Sequence, residues 1–208
     1  MKKTKLYALL LAAVLTASAS AGCLGKKQSS TTTPQPRPTH AADDERSPID
    51  LSSIGVNVIN GELGTMVSEN DTDFTLNAVV DPGMRDEKAK FIFFDITLRN
   101  NTDKEYELST LNNFYIELPA GTKLYSEVRT QLYAGSHFKD DKYFVDPFTI
   151  PSNGQFSGLV GGFILNEDMN EFNVCFFPTG KDPNNKKTVI KYKITADNIT
   201  APDASVLK

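Results

Sequence analysis

The sequence is poor in the side chains on which most metal sites and many hydrolases depend. Its 208 residues contain no tryptophan, two histidines and two cysteines, Cys23 and Cys175. His40 lies in a polar N-terminal tract, which leaves His137 as the histidine of the remaining chain. One histidine and one cysteine cannot complete an ordinary zinc or copper ligand set, so we expect no such metal and no cofactor.

Positive charge is also scarce. Lysine and arginine total 22 residues against 26 aspartates and glutamates, which gives a formal net charge of −4. Proteins that bind nucleic acid present a basic face to its phosphates, and this composition does not supply one. The sequence therefore argues against nucleic acid as a partner.

The apolar run at the N-terminus is short. It extends from Leu6 to Leu15, ten residues, and a helix of that length cannot cross a bilayer. Lys2, Lys3 and Lys5 precede it. A basic start followed by a short apolar stretch is typical of a secretory signal peptide.

The end of this leader resembles a prokaryotic lipoprotein signal. Ala21 and Gly22 precede Cys23 in the small-small-Cys order of that signal, although Ser20 stands where leucine is usual. We predict a signal peptide over residues 1–22, lipidation of Cys23, and an outward-facing position at the cell membrane through that anchor. Two or more chains on one residue hold a protein stably to a membrane. The alternative is cleavage at a small-residue site just before Cys23, which would secrete a free protein.

Residues 23–49 form a polar tract after the leader. The segment Ser29 to Pro38 is rich in Ser, Thr and Pro, and apolar side chains are nearly absent from the whole tract. Such a composition cannot bury a core. We predict a disordered tether that reaches about 30 Å as a coil.

From Ile54 onward, apolar residues alternate with polar ones, which is the period of a half-buried strand. Turn-forming Gly, Pro, Asn and Asp separate the segments, and no long amphipathic helix is predicted. We expect an all-β fold, an immunoglobulin-like antiparallel β-sandwich of about eight or nine strands over residues 50–197, with a C-terminal tail over 198–208. The predicted strands are 54–58, 74–78, 92–98, 106–108, 114–118, 143–145, 156–165, 172–176 and 190–194.

Two segments carry a resemblance to a known family. One is Phe91–Leu108, where an apolar strand ends at an Asn-Asn-Thr turn, and the other is Ile150–Gly158 with the later Phe163–Leu165. Over residues 52–197 the chain resembles the telokin-like, immunoglobulin-like domains of unknown function found on secreted and lipid-anchored prokaryotic proteins. The mycobacterial immunoprotective secreted antigen shares their fold. The resemblance implies the sandwich and carries over no catalytic residue. Glycines that permit a bulge or a close approach of backbone follow the second turn: Gly158, Gly161 and Gly162.

The loop predicted over residues 127–142 mixes charged and aromatic side chains, and sandwich proteins often bind through the loops that join their strands. Phe91 and Phe93 lie on the opposite face of strand 92–98 from its core residues. They either contact a partner as well or pack beneath a neighbouring loop. The loop residues that we expect to contact a partner are Arg129, Tyr133, His137 and Phe138.

A catalytic motif is not evident. A hydrolase would need His137 together with Asp140 or Asp146 and a serine, yet no serine lies in a G-x-S-x-G motif. Cys175 alternates away from the core residues of its strand, and we expect an inert thiol. We therefore predict that the protein is not an enzyme.

Other polar residues allow weaker interpretations. Three aspartates offer loop oxygens of the kind that calcium binds, although their spacing does not match an EF-hand, and we interpret them as turn residues. These aspartates are Asp71, Asp73 and Asp81. Three sequons are candidate glycan acceptors if the organism glycosylates exported proteins. Their asparagines are Asn70, Asn100 and Asn198.

Together these features predict a prokaryotic cell-surface lipoprotein that presents an immunoglobulin-like binding or adhesion module. Its partner would be an envelope or extracellular protein, or a glycan. Two alternatives remain open. One is a structural component of an envelope complex, and the other is a secreted hydrolase that uses His137.

Overall fold

The alternation of apolar and polar residues produces strands with one buried face, and these strands form two sheets that face each other. The structure is a computed structural model and describes residues 55–208. In chain order the strands are β1 (Asn57–Gly61), β2 (Val67–Glu69), β3 (Thr72–Val80), β4 (Arg85–Asp86), β5 (Ala89–Asn100), β6 (Tyr106–Leu108), β7 (Phe114–Glu117), β8 (Lys123–Leu124), β9 (Phe148–Ile150), β10 (Gln155–Asn166), β11 (Phe172–Phe176), β12 (Thr188–Ile194) and β13 (Ile199–Thr200). The helices are α1 (Thr110–Asn113), α2 (Val128–His137) and the 3₁₀ turns Ala196–Asn198 and Ala204–Val206.

The predicted β-sandwich is confirmed. One sheet has five strands in the order β1-β12-β11-β7-β8, and the other has six, with the order β10-β5-β3-β13 and with β2 and β4 added on β3 and β5. Strands β6 and β9 form a separate pair. Adjacent strands run antiparallel except at two edges, where β1 is parallel to β12 and β13 is parallel to β3.

Aromatic side chains fill the space between the two sheets. Phe74 of β3 stacks on Phe176 of β11 with ring centroids 4.0 Å apart, which joins one sheet to the other. Phe94 of β5 stacks on Phe163 of β10 at 4.7 Å. Removing a ring of this size from water contributes about 1.5–3 kcal/mol. The core therefore rests on inward-facing residues of strands that the sequence pattern predicts.

The segment expected to be a C-terminal tail is part of the fold, so the predicted domain end at residue 197 is wrong. Ile199 and Thr200 form β13 and pair with Val79 and Val80 of β3. This pairing gives hydrogen-bond partners to backbone N–H and C=O groups of β3 that would otherwise lie unpaired at the edge of the six-stranded sheet. The last strand is too short to show a periodic pattern, and the sequence gives no signal for it.

Two further segments differ from the prediction. The expected strand at 143–145 makes only an isolated bridge between Tyr143 and Leu159, and Val145 is exposed. At the start of the sandwich, Ile59 packs against the core while Val58 is 49% exposed. Compared with the prediction, the inward-facing positions of β1 are therefore displaced by one residue. A displacement of one residue moves each side chain to the opposite face of the sheet.

A bulge lies in β10 where glycines follow one another. The pairing of β10 with β5 shifts between Gly161 and Phe163. Gly161 has φ of +104°, a conformation that side chains with a Cβ rarely adopt. The bulge that the sequence allowed is therefore present.

Asn100, at the end of β5, is a buried hydrogen-bonding centre. Its Nδ2 donates to the carbonyl oxygens of Lys104 at 2.7 Å, Pro151 at 3.0 Å and Ile150 at 3.3 Å. Its Oδ1 accepts from the backbone N–H of Thr102 at 3.0 Å and from the Thr102 hydroxyl at 2.7 Å. Asn100 is fully buried, so the expectation that it accepts a glycan is wrong for the folded protein.

We expect Asn100→Ala to lower the free energy of unfolding by about 3 kcal/mol, because buried carbonyl groups lose their donor. Urea denaturation followed by circular dichroism measures this loss. The matched control is Asn184→Ala, since Asn184 is exposed and should change stability by less than about 0.5 kcal/mol. Equal losses for the two variants would contradict the role assigned to Asn100.

Candidate functional site

Helix α2 lies on the outer face of the six-stranded sheet, where the sequence predicted a loop. Phe93 contacts Phe138 with ring centroids 5.1 Å apart, and Phe91 contacts Tyr133 at 5.6 Å. Phe91 is 3% exposed, and Phe93 and Phe138 are fully buried. For Phe91 and Phe93 the structure therefore shows the packed alternative and not contact with a partner, and the expectation that Phe138 contacts a partner is wrong. They pack because α2 covers the apolar patch that β5 would otherwise expose.

The approach of α2 depends on Gly162. The Thr130 hydroxyl donates to the Gly162 carbonyl at 3.0 Å, and the backbone N–H of Glu127 donates to the same oxygen at 3.2 Å. A Cβ at Gly162 would lie 2.7 Å from the ring of Phe93 and 3.0 Å from Cβ of Thr130. Only glycine leaves room for the helix at this position.

The end of the chain fixes the other end of α2. The backbone N–H of Lys139 donates to the Val206 carbonyl at 2.9 Å, and that of Lys208 donates to the His137 carbonyl at 2.9 Å. The Lys208 ammonium group pairs with Asp140 at 2.7 Å. Both ends of the helix are therefore attached to the sandwich, which makes α2 a fixed element of the surface.

The outer side of α2 carries two large aliphatic side chains that point into solvent. Val128 is 70% exposed and Leu132 is 75% exposed. Since they are four residues apart, they lie on one face of the helix. We call these two residues the α2 patch. Arg129 lies beside them and pairs with Asp86 at 2.8 Å and with Glu127 at 3.3 Å.

The predicted contact residues thus divide into two groups. Arg129 and His137 are exposed. Tyr133 is half-buried because its ring packs against Phe91 and Phe93, and it also stacks on the ring of His137 with centroids 3.9 Å apart. Phe138 belongs to the packing beneath the helix. The sequence analysis named this segment but not the two residues of the α2 patch, and contact of the segment with a partner stays a prediction.

The polar groups around His137 do not form a catalytic triad. Its Nδ1 lies 2.9 Å from the Tyr133 carbonyl and 2.8 Å from the Ser136 hydroxyl. Asp140 pairs with Lys208 instead of His137. Asp146 accepts hydrogen bonds from the Ser109 hydroxyl at 3.1 Å and from the backbone N–H of Thr110. The structure therefore does not bring the predicted acid and base together.

The three calcium candidates are separated in the fold. Asp71 and Asp73 lie at one end of β3, and Asp81 follows its other end. A strand of this length spans roughly 25–30 Å, too far for one ion to bridge. Asp81 already accepts two hydrogen bonds from Arg85 at 2.9 Å, and Asp73 accepts one from Ser68 at 2.7 Å. Over residues 55–208, His, Cys, Asp and Glu form no cluster of three or more that could hold a metal.

The two remaining sequon asparagines are partly accessible. Asn70 donates from Nδ2 to the Pro178 carbonyl at 2.7 Å. Asn198 accepts through Oδ1 from the Thr195 backbone and hydroxyl, each at 3.0 Å. Glycan attachment at Asn70 and Asn198 stays a prediction.

A shallow polar depression, which sequence patterns do not predict, lies at one end of the sandwich. Its volume is ≈ 170 Å³, and its lining combines amide, carboxylate, ammonium and hydroxyl groups. The Thr188 hydroxyl donates to the Glu69 carboxylate at 3.0 Å, across 119 positions of sequence. Residues so far apart in the sequence form no local motif by which the depression could be predicted. The lining residues are Glu69, Asn70, Pro178, Asn185, Lys187 and Thr188.

Cys175 is fully buried on the outer face of the five-stranded sheet. Burial raises the pKa of its thiol to about 12, and the negative charge of Glu117 acts in the same direction. Because the thiolate is the reactive form, the raised pKa keeps this cysteine unreactive.

We expect Cys175 to resist a thiol reagent such as DTNB at pH 8 while the protein is folded. A pKa raised from 9.0 to about 12 lowers the thiolate fraction by about 1,000-fold. A Cys23→Ser variant leaves Cys175 as the single cysteine, and the same variant in concentrated urea is the control. Rapid labelling of the folded protein would contradict the burial of this thiol.

No protein-family model matches the chain, and no curated protein matches it. Among solved structures, it is similar to the yjhA protein of Bacillus subtilis at 11% identity and a TM-score of 0.43, over 64% of this chain and 98% of that one. The Bacillus subtilis ycdA protein, provisionally described as a lipoprotein, matches at 12% identity and a TM-score of 0.44, over 68% of this chain and 40% of that one. An uncharacterized β-sandwich protein of Clostridium difficile 630 matches at 12% identity and a TM-score of 0.41, over 66% of this chain and 95% of that one.

These similarities are distant and give no function for this chain. Among the described residues, no helix is long and apolar enough to cross a membrane. The predicted signal peptide, Cys23 and the tether lie outside the described residues. The telokin-like resemblance stays a prediction.

Proposed function

We propose that this protein is a prokaryotic cell-surface lipoprotein whose β-sandwich binds another protein of the envelope or the extracellular space, without catalysing a reaction. The observation that carries the proposal is the α2 patch. Val128 and Leu132 are 70% and 75% exposed on a helix that is attached at both ends. Large aliphatic side chains are usually buried, so a fixed pair that faces solvent suggests a contact.

The surroundings of the α2 patch favour a protein as the partner. Arg129, Glu127 and Asp86 form charged pairs beside the two aliphatic residues. An apolar centre with a polar rim is the usual arrangement of a protein interface. A matching partner would offer an apolar recess for the aliphatic side chains and polar groups for the rim.

The leader supports attachment to the membrane. Cys23 follows a basic and apolar leader, and residues 23–49 separate it from the sandwich. A lipid on Cys23 would hold the domain outside the cell, within reach of envelope components. Secretion as a free protein is the alternative if Ser20 prevents lipidation.

A glycan is the second candidate partner, and the polar depression lined by Glu69 and Lys187 favours it. Sugar hydroxyl groups both donate and accept hydrogen bonds, and the carboxylate, ammonium and amide groups there offer both functions. The α2 patch offers none of these groups. The two partners would therefore bind at different places on the domain.

Lipid attachment is tested by Cys23→Ser. We expect this change to move the protein from the membrane fraction to the medium, because the sulfur that carries the lipid is absent. Ser20→Leu is the matched control, since it restores the usual residue of the lipoprotein signal and should leave the protein in the membrane fraction. Retention of Cys23→Ser at the membrane would refute the anchor.

The binding surface is tested with a photo-crosslinking amino acid placed on living cells at position 132, and in a second variant at position 187. We expect a protein adduct from position 132 that Val128→Asp abolishes, because a buried charge is unfavourable at an apolar contact. Adducts from position 187 alone would favour the polar depression as the contact. Absence of adducts at both positions would refute the proposal that this domain binds a partner.

A further inference from the structure

Lys90 is buried in a way that is unusual for lysine. It is the second residue of β5, paired with Arg85 of β4 on one side and with Leu165 of β10 on the other. The residue is 2% exposed. Lysine is almost never buried to this extent unless an opposite charge accompanies it.

The Lys90 amine has an amide as its partner instead of a carboxylate. Its Nζ donates to Oδ1 of Asn170 at 2.7 Å. Among residues 55–208, no carboxylate lies within ion-pair distance of Nζ. The nearby carboxylate of Asp81 is occupied by Arg85, which donates two hydrogen bonds to it at 2.9 Å.

These surroundings favour the neutral amine. Burial lowers the pKa of Lys90, and the charge of Arg85 lowers it further, while Asp81 and Asp168 oppose the shift. A neutral lysine amine is a nucleophile, whereas an ammonium group is not. The amide carbon of Asn170 is also close, because a C=O bond of about 1.2 Å places Cγ at most about 4 Å from Nζ.

We propose that Lys90 and Asn170 join in an intramolecular isopeptide bond. Nζ of Lys90 attacks Cγ of Asn170, the Nζ–Cγ bond forms, the Cγ–Nδ2 bond breaks, and ammonia leaves after it takes a proton from the attacking nitrogen. No atom is oxidised or reduced. Solvent at Asn170 carries the proton from Nζ to the departing nitrogen. Asn170 is exposed, so ammonia escapes directly to solvent.

The bond would strengthen a domain that has no other covalent link. Cys175 is the single cysteine of the described residues, so they contain no disulfide. The Lys90–Asn170 pair spans 80 positions of sequence and would connect β5 to the segment that leads from the six-stranded sheet to the five-stranded sheet. A covalent link over so long a loop restricts the unfolded chain, as a disulfide does. This inference does not depend on the proposed binding function.

Mass spectrometry of the full chain tests the bond. We expect a mass lower by one ammonia than the processed sequence requires, and a protease fragment that contains both Lys90 and Asn170. Lys90→Gln and Asn170→Ala should each restore the missing mass, and Asn170→Asp should lose one water instead. Lys88→Gln and Asn166→Ala, which change exposed neighbours, are the controls and should keep the link.

One competing reaction also releases ammonia. Asn170 could close a cyclic imide with its own backbone, and the mass loss would then persist in Lys90→Gln. That result would overturn the proposal, as would a wild-type protein of full mass whose Lys90 and Asn170 fragments separate. If Lys90→Gln does not fold, the linked fragment of the wild-type protein still decides between these outcomes.

Discussion

Strand β5 is apolar on both faces near its start, and this constraint accounts for much of the structure around it. Ile92 and Phe94 enter the core between the sheets, while Phe91 and Phe93 point to the opposite side. If the rings of Phe91 and Phe93 stayed in water, the fold would lose about 3–6 kcal/mol of stabilisation from their burial. The six-stranded sheet therefore needs a cover on its outer face. Helix α2 provides that cover, and the bulge and glycines of β10 allow it to approach.

The same cover gives the domain its most distinctive surface. A helix that lies on a sheet buries one side and presents the other, and the side that α2 presents carries Val128 and Leu132. The hydrogen bonds to Gly162 and to the C-terminal residues fix where these side chains point. A sandwich fold by itself carries no function, and the proposed role rests on this surface and on the anchor motif at Cys23.

Much of the fold follows from the sequence, and most of the candidate site does not. Strands β3 and β5 show a clear period of two, and most of their inward residues are buried as expected. Ala78 is the exception: the pairing of β3 with β5 shifts between Leu76 and Ala78, so Val79 enters the core instead. Helix α2 was missed because its buried residues include the small Thr130 and Ala134, whereas its aliphatic residues face solvent. In an ordinary amphipathic helix the large apolar side chains face the protein, whereas in α2 they face solvent. Arg129 and His137 are exposed, and their expected contact with a partner stays a prediction, whereas the α2 patch beside them was not identified.

The sequence by itself determined most of the strands, the turns between them and the shortage of cysteine, which depend only on neighbours along the chain. The leader before Cys23 stays a prediction. Alternation of side chains along a strand is a local property, so a few residues suffice to encode it. Tertiary structure alone decided that Asn100 is a buried hydrogen-bonding centre and that Lys90 meets Asn170 across 80 positions of sequence. Which polar groups meet depends on how distant segments pack, and no local pattern records that packing.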